Sequence, residues 1–524
     1  MKHRFETLGL LAGLTTLGLA GAVAAAPASD GTDDNALQQI EDLRRQNQEL
    51  AAKIAKLEQV AGDDGAWLTE ARADEIRDLV KDVLSDADTR SSLQADGVTA
   101  GWNKGFFLAS PDGSYRLQIK GQIQFRWAGD FRDVPNGPLA PGSASGTDSN
   151  YGFEVRRAKL TFSGHVIDPS LTYEFKPVFN RQAVSVSSSN LGGGSVSLSS
   201  ADVNGSIEDI WMQKAFDGGW SIRAGQFKAP FLREELVSST SQLAVERSLV
   251  NDTFSTKFSQ GVQVEWEQEM FKLTGFYGDG LRALRTSPVS NSAIAGNFNG
   301  AYLTDFQTAD TNWAFAGRAE MKLAGQWKQF KDLTSFRGEE FGLLVGIGGM
   351  GQSVRPTPTN AAAPKDMWGI TGDVTVDFGG ANLFVAGVVR EVGLTAPLAV
   401  RGGGTGDAMT QWGVVAQGGV FVIDDLELYA RYEFGNTDTD QYRTGTGSGL
   451  ADLEKDSIVT VGVNFYPMGV ANTAIKWTTD VGYAFTPIGD FASSGANWNS
   501  DATANNGETS DGQWVLRSQI QLLF

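Results

Sequence analysis

Residues 115–127, YRLQIKGQIQFRW, alternate between apolar and polar positions along their whole length. The first set reads Tyr115, Leu117, Ile119, Gly121, Ile123, Phe125 and Trp127, and the second reads Arg116, Gln118, Lys120, Gln122, Gln124 and Arg126. A period of two indicates a β-strand whose two faces meet different surroundings. A soluble sandwich buries its apolar face, whereas a membrane barrel turns that face to lipid and keeps a polar lumen. This stretch fits both, so strand length and repetition decide between them.

The same alternation recurs at membrane-strand length towards the end of the chain. Clear examples are residues 368–378, 426–434, 475–485 and 514–524. We count about sixteen such strands between positions 114 and 524, an even number as in bacterial outer-membrane barrels. The sequence therefore predicts an all-β membrane barrel of about 16 antiparallel strands.

The connections between these strands also alternate in length. Short turns such as residues 167–169, 217–219 and 378–380 separate some strands, and long Gly-, Ser- and Asn-rich segments such as residues 134–150 and 181–205 separate others. Short turns at one end and long loops at the other are typical of membrane barrels. The last strand ends on Phe524, which resembles the assembly signal of outer-membrane proteins.

Residues 1–26 are predicted to be a signal peptide. Lys2 and Arg4 precede an apolar run over positions 8–20, and small residues follow it. That run is shorter than the ~20 residues of a spanning helix. Cleavage after either Ala25 or Ala26 fits the small-residue rule. The alternative is an N-terminal helix of the core.

Composition excludes several protein classes. No later segment offers ~18 uncharged apolar residues, which excludes a helical membrane protein. The chain has 524 residues, a formal net charge of -19 and no cysteine. An acidic chain without clustered basic residues is a poor partner for nucleic acid. The absence of cysteine leaves neither disulfides nor thiol chemistry.

Residues 27–100 are predicted to form a helical periplasmic extension that contains a coiled coil. The a positions of its heptads are Ile40, Asn47 and Ile54, and the d positions are Leu43, Leu50 and Leu57. Such a pattern favours association of helices, and Asn at an a position sets their register. A single amphipathic helix is the alternative, since only about three heptads are present. A second helical pattern covers residues 68–84.

Four blocks in residues 101–267 resemble the phosphate-selective porin family, the outer-membrane porins O and P. They are residues 116–125 (RLQIKGQIQF), 156–160 (RRAKL), 223–228 (RAGQFK) and 246–249 (ERSL). The resemblance implies a homotrimer of sixteen-stranded barrels, some of which follow an N-terminal coiled coil. Ile at a with Leu at d instead favours two strands, so the oligomeric state stays open.

The alternation also predicts which charges face the lumen. A charged residue facing lipid costs ~2–4 kcal/mol at the bilayer midplane, so inward placement is strongly favoured. The residues that this rule places inside are Arg116, Lys120, Arg126, Arg157, Lys159 and Arg223. Rings of Arg and Lys select anions, and the planar fork of Arg matches phosphate oxygens.

The resemblance implies that residues 230–256 fold into the barrel as a constriction. Arg233 and Arg247 are the anion-site candidates in that loop, with Lys257 near its end. The opening strands balance acidic against basic residues, whereas the later strands are acidic. The later inward-facing carboxylates are Asp373, Asp377, Glu427, Glu433 and Asp480. They oppose a uniformly anionic pathway, so a mixed-charge lumen without selectivity is the alternative.

An enzyme is the rival class of function. The mature chain keeps one histidine, His165, beside a turn, and no cluster of metal ligands. These facts remove most nucleophilic and metal mechanisms, and no carboxylate pair is singled out for glycoside hydrolysis. We therefore expect no catalytic residue, no metal and no cofactor. A third class is a structural or adhesive barrel that does not conduct.

The sequence as a whole predicts an outer-membrane porin for passive diffusion of small anions, phosphate or polyphosphate foremost. Its partners are those anions and outer-membrane lipid. A general porin without anion preference is the alternative.

Overall fold

The structure is a computed structural model. It describes residues 45, 48–49, 51–53, 98–132, 149–179, 206–281, 311–354, 364–400, 403–438, 440–442, 454–488, 497–498 and 512–524.

Sixteen strands of the described residues form one antiparallel sheet that closes on itself. They are β3 (Arg116–Phe131), β4 (Ser149–His165), β5 (Leu171–Val178), β6 (Ser206–Ala215), β7 (Trp220–Lys228), β8 (Phe258–Glu267), β9 (Phe271–Gly278), β10 (Thr311–Ala324), β11 (Gly342–Val354), β12 (Pro364–Asp377), β13 (Ala381–Ala399), β14 (Thr405–Ile423), β15 (Leu426–Asn436), β16 (Lys455–Phe465), β17 (Ile475–Ala484) and β18 (Gln513–Leu523). Each strand pairs with the next, and β18 pairs with β3. The predicted barrel and its strand count are confirmed.

The two faces of the first barrel strand show which way the sheet is turned. Ile123 and Phe125 are 40% and 44% exposed on the outer face, while Gln124 and Arg126 are 1% and 0% exposed inside. A soluble sandwich has the opposite arrangement. Apolar outside and polar inside is the arrangement of a membrane barrel.

Two shorter strands precede the barrel. β1 (Thr99–Trp102) and β2 (Phe106–Ala109) form an antiparallel hairpin, and β2 pairs with the first residues of β3. The sequence pattern did not predict this hairpin.

The barrel closes around the last residue of the sequence. The backbone N–H of Phe524 donates to the Gly121 carbonyl at 3.1 Å. A Cβ on Gly121 would lie 2.2 Å from the Phe524 ring. Only glycine leaves room for that ring, which explains the small residue within an otherwise bulky row.

Most of the predicted N-terminal elements lie outside the described residues. This applies to the signal peptide and to every a and d position of the heptads. Arg45, Gln48, Glu49 and residues 51–53 are helical. No helix in the described part of the chain is long and apolar enough to cross a membrane.

Two segments between strands fold into the barrel. We call residues 229–257, between β7 and β8, the inner loop; it contains the short helices α1 (Arg233–Leu236) and α2 (Leu249–Phe254). We call residues 325–341, between β10 and β11, the inner turn. The inner loop lies where the constriction was expected. The inner turn was not predicted.

The inner turn starts from the end of the barrel that carries the short turns. The Ser335 hydroxyl accepts from the backbone N–H of Gly379, and Arg337 pairs with Asp424 at 3.0 Å. Both partners belong to short turns, after β12 and β14 respectively. In outer-membrane barrels, short turns lie on the periplasmic side. The inner loop and the inner turn thus enter the lumen from opposite ends.

Candidate functional site

A cavity of about 390 Å³ lies between strands β4–β8 and the inner loop. Its basic lining residues are Arg156, Arg157, Lys159, Lys176, Arg223, Lys228, Arg247 and Lys257, and its acidic ones are Glu174, Glu208, Asp209, Glu235, Glu246 and Asp252. Eight basic against six acidic side chains leave an excess of two positive charges. The whole chain carries a formal net charge of -19. The cavity is therefore the basic part of an acidic molecule.

One carboxylate of the inner loop joins the loop to the barrel wall. Glu246 accepts from Arg126 at 2.6 Å, from Arg156 at 2.6 Å and from Arg157 at 2.8 Å. Burial alone would raise the pKa of Glu246, but the three guanidinium groups hold it well below its usual range. The carboxylate is thus charged at physiological pH. Arg126 also pairs with Glu154 at 2.5 Å, whereas Arg156 and Arg157 pair with no other carboxylate among the described residues.

A second loop carboxylate collects three more cations. Glu235 lies 3.5 Å from the Lys228 ammonium, 3.4 Å from that of Lys257 and 3.8 Å from the Arg247 guanidinium. It also accepts from the Asn251 amide at 2.8 Å. Burial would raise the pKa of Glu235, and the three cations lower it well below the usual range. Each of the two loop carboxylates therefore binds three cations, although Lys257 also pairs with Asp252.

A β-bulge explains why two consecutive arginines face the lumen. Gln124 pairs with Arg157 and Phe125 pairs with Val155, so Arg156 is the extra residue. A bulge leaves one residue unpaired and shifts the alternation by one position. Arg156 and Arg157 consequently both reach Glu246.

A second bulge does the same for two consecutive acids. Lys176 pairs with Asp209 and Pro177 pairs with Ile207, so Glu208 is the extra residue. Glu208 accepts from Lys159 at 2.6 Å and Asp209 from Lys176 at 2.6 Å. Glu208 therefore binds a lysine of β4, and Asp209 binds a lysine of the adjacent β5.

Arg223 differs from the other cations of the cavity. Its guanidinium lies 4.3 Å from the centroid of a Trp211 ring and 5.4 Å from that of Phe227. Its Nε donates to the Gln213 amide oxygen at 2.8 Å. No carboxylate among the described residues forms a salt bridge with it. The two Nη groups donate no hydrogen bond to another described residue.

The structure brings half of the predicted site residues together. Arg157, Lys159, Arg223 and Arg247 line the cavity. The other four predicted residues, Arg116, Lys120, Arg126 and Arg233, lie outside its lining.

Each of those four has a different environment. The Arg116 guanidinium lies 4.5 Å from the centroid of the Phe107 ring, and Lys120 is exposed near the same end of β3. Arg126 is 0% exposed behind Glu246. Arg233 binds Glu320 at 3.2 Å and the Phe330 carbonyl of the inner turn.

Sequence reasoning missed three lining cations. In a regular alternation Arg156 would face lipid, and only the bulge turns it towards the lumen. Lys228 lies in the block 223–228 and Lys176 lies in β5, but neither was proposed for the site. Lys257, expected near the end of the loop, does line the cavity.

The opposite half of the lumen is filled. Leu333 of the inner turn is 2% exposed, and it clusters with Val237, Leu243 and Ala244 of the inner loop. Its backbone N–H donates to the Ser241 carbonyl at 3.2 Å. The inner loop and the inner turn thus meet inside the barrel. The basic cavity lies on the other side of the inner loop, against β4–β8.

The family model of phosphate-selective porins O and P matches residues 122–389, more than half of the chain. The chain belongs to this family. The porin is accordingly a channel protein of the bacterial outer membrane. No curated protein sequence matches it.

Several solved outer-membrane proteins are similar to this chain at low sequence identity. The outer-membrane channel DcaP of Acinetobacter baumannii is 10% identical, with a TM-score of 0.45, over 78% of this chain and 98% of that chain. OmpF of Salmonella typhi is 11% identical, with a TM-score of 0.44, over 81% of this chain and 100% of that chain. OmpT of Vibrio cholerae, in a trimer form, is 10% identical, with a TM-score of 0.40, over 78% and 99%.

Proposed function

We propose that this porin passes small anions, phosphate or polyphosphate foremost, along the basic cavity beside β4–β8. The observation that carries the proposal is the excess of positive charge there, together with the two Nη groups of Arg223, which donate to no described residue. Basic residues in a pore lining lower the barrier for anions. The guanidinium fork also matches the oxygen geometry of phosphate.

The quaternary structure and the N-terminal region belong to the same proposal. The resemblance to the family supports a homotrimer. The heptads support a coiled coil in residues 27–100 that follows a cleaved signal peptide.

A general porin is the second candidate. Most cations of the cavity are already paired with carboxylates, as Lys159 is with Glu208. The far wall adds buried acids such as Asp373 and Asp480. If these charges cancel along the pathway, the channel sorts solutes by size alone.

Replacing Arg223 with Gln should weaken the block of chloride current by phosphate. A hydrogen bond to a charged group contributes ~1.5–3 kcal/mol, so we expect the half-blocking concentration to rise about tenfold or more. The measurement is single-channel chloride current in planar bilayers during titration with inorganic phosphate.

Arg116→Gln is the matched control, because it removes the same charge outside the cavity lining. It should leave the block unchanged. Equal half-blocking concentrations for the wild type and Arg223→Gln would contradict the role of Arg223.

A further inference from the structure

The basic cavity also has an apolar side, and this side is unusual for a polar lumen. Trp211, Phe227, Leu236 and Phe258 line it together with the charged residues. Trp211 and Phe227 flank the Arg223 guanidinium. The Lys228 ammonium lies 5.7 Å from the centroid of the Phe258 ring. Cationic donors and aromatic surfaces thus adjoin one another in one space.

The size of the cavity exceeds what an inorganic anion fills. Its volume is about 390 Å³. A water molecule occupies ~30 Å³ of liquid, and an inorganic phosphate ion replaces only a few of them. Pockets of ~300–1,000 Å³ with aromatic sides and a few polar groups are typical of organic ligands.

Rigid aromatic surfaces favour a flat apolar ligand. Offset or edge-to-face contact between aromatic rings contributes favourable free energy beyond that of the apolar area that the rings bury. In the filled half of the lumen, by contrast, the apolar side chains pack against each other, as Leu333 does against Leu243. On the apolar side of the cavity, Phe227 is likewise buried and packs edge-to-face on Phe276, with ring centroids 5.7 Å apart. Trp211, Leu236 and Phe258 are only half-buried, so they keep part of their surface open to the cavity.

We propose that the cavity takes small aromatic anions, in which a carboxylate or phosphate group is attached to a flat ring. The anionic group meets Arg223 and Lys228, and the ring lies against Phe258, Leu236 and the uncovered part of Trp211. This inference rests on the proposed anion pathway and specifies the solute class that the pathway favours.

Matched pairs of anions test the inference through block of chloride current in planar bilayers. The pairs are acetate with benzoate, and inorganic phosphate with phenyl phosphate. Since an aromatic contact adds a modest free energy beyond area burial, the ring-bearing member should block at a concentration about tenfold lower.

Substitution of the aromatic side chains completes the test. In Phe258→Leu, the half-blocking concentrations of the two members of a pair should differ by about threefold or less. Trp211→Leu, which serves if the first variant does not insert, has the same expectation. The control is Phe153→Leu. Phe153 is an aromatic residue that is 72% exposed and lies outside this cavity. This variant should keep the tenfold ratio of half-blocking concentrations within each pair.

The outcomes separate this inference from the proposed function. Equal half-blocking concentrations within both pairs would overturn the inference, while block by phosphate would still support the anion pathway. A ring advantage that survives Phe258→Leu and Trp211→Leu would also overturn it. If none of the four anions blocks the current, both proposals fail.

Discussion

Replacing Glu246 with Gln is expected to release the inner loop from the barrel wall. The substitution removes the one carboxylate that binds Arg126, Arg156 and Arg157, whose side chains are 0%, 23% and 9% exposed. Arg126 keeps Glu154 at 2.5 Å, but Arg156 and Arg157 keep no carboxylate partner among the described residues. Loss of one partner from a buried ion pair costs about 3–5 kcal/mol, because the remaining charge stays buried and uncompensated. The loop should then leave its position beside β3 and β4 for part of the time.

Two measurements detect that release. The single-channel current should become noisy, with transient steps above the wild-type level, because the loop narrows the lumen when it is attached. Trypsin should cleave the folded protein within the inner loop, where Arg247 becomes accessible. Both effects follow from the same motion, so they should appear together.

Glu174→Gln is the matched control for Glu246→Gln. Glu174 also lines the cavity and binds Lys176 at 2.7 Å, but Lys176 keeps Asp209 as a second partner. This variant should leave the current quiet and the loop resistant to trypsin. A quiet, resistant Glu246→Gln channel would show that the three-arginine cluster does not hold the loop.

Replacing the inner turn with Asn-Gly is expected to widen the channel. The turn fills the lumen next to the inner loop, and Ala324 and Leu343 already pair across the ends of β10 and β11. Asn, Gly and Gly342 would then lie between the paired Ala324 and Leu343, and a three-residue turn can join antiparallel strands. The neighbouring β14 and β15 are joined by only two residues, 424–425. Since conductance depends on the pore cross-section, we expect it to rise about twofold.

The same replacement also removes support from the inner loop. Leu333 leaves its cluster with Val237, Leu243 and Ala244, and burial of such a side chain contributes ~1.5–3 kcal/mol. The thermal unfolding temperature should fall along with the rise in conductance.

Asn-Gly in place of residues 424–425 is the control for the turn replacement. It changes a turn at the same end of the barrel and removes the exposed Asp424–Arg337 pair. Exposed pairs contribute ~0–1 kcal/mol, so conductance should stay at the wild-type value. An unchanged conductance after removal of the inner turn would contradict its placement in the lumen.

The sequence predicted the barrel because lipid and lumen impose a period of two on every strand. The alternation in residues 115–127 corresponds directly to an exposed Phe125 and a buried Arg126. The alternation also placed Arg157, Lys159 and Arg223 on the inner face, and all three line the basic cavity. These predictions needed only local pattern and the cost of a charge in lipid.

The rest of the site depends on features that leave no local period. The bulge at Arg156 adds one residue to β4, and the local amino-acid sequence does not indicate where the pairing of β4 with β3 shifts. The inner turn is a polar segment much like the loops, and only its long-range contacts, such as Leu333 with Ser241, draw it into the barrel. Such contacts are set by the closed sheet and not by the segment itself.

The reversal potential in a gradient of potassium chloride tests the central claim most directly. The reversal potential of the wild-type channel should have the sign set by chloride moving down its gradient. The reason is that the basic cavity beside β4–β8 is lined by more positive than negative side chains. A reversal potential of the opposite sign, set by potassium, would contradict the account.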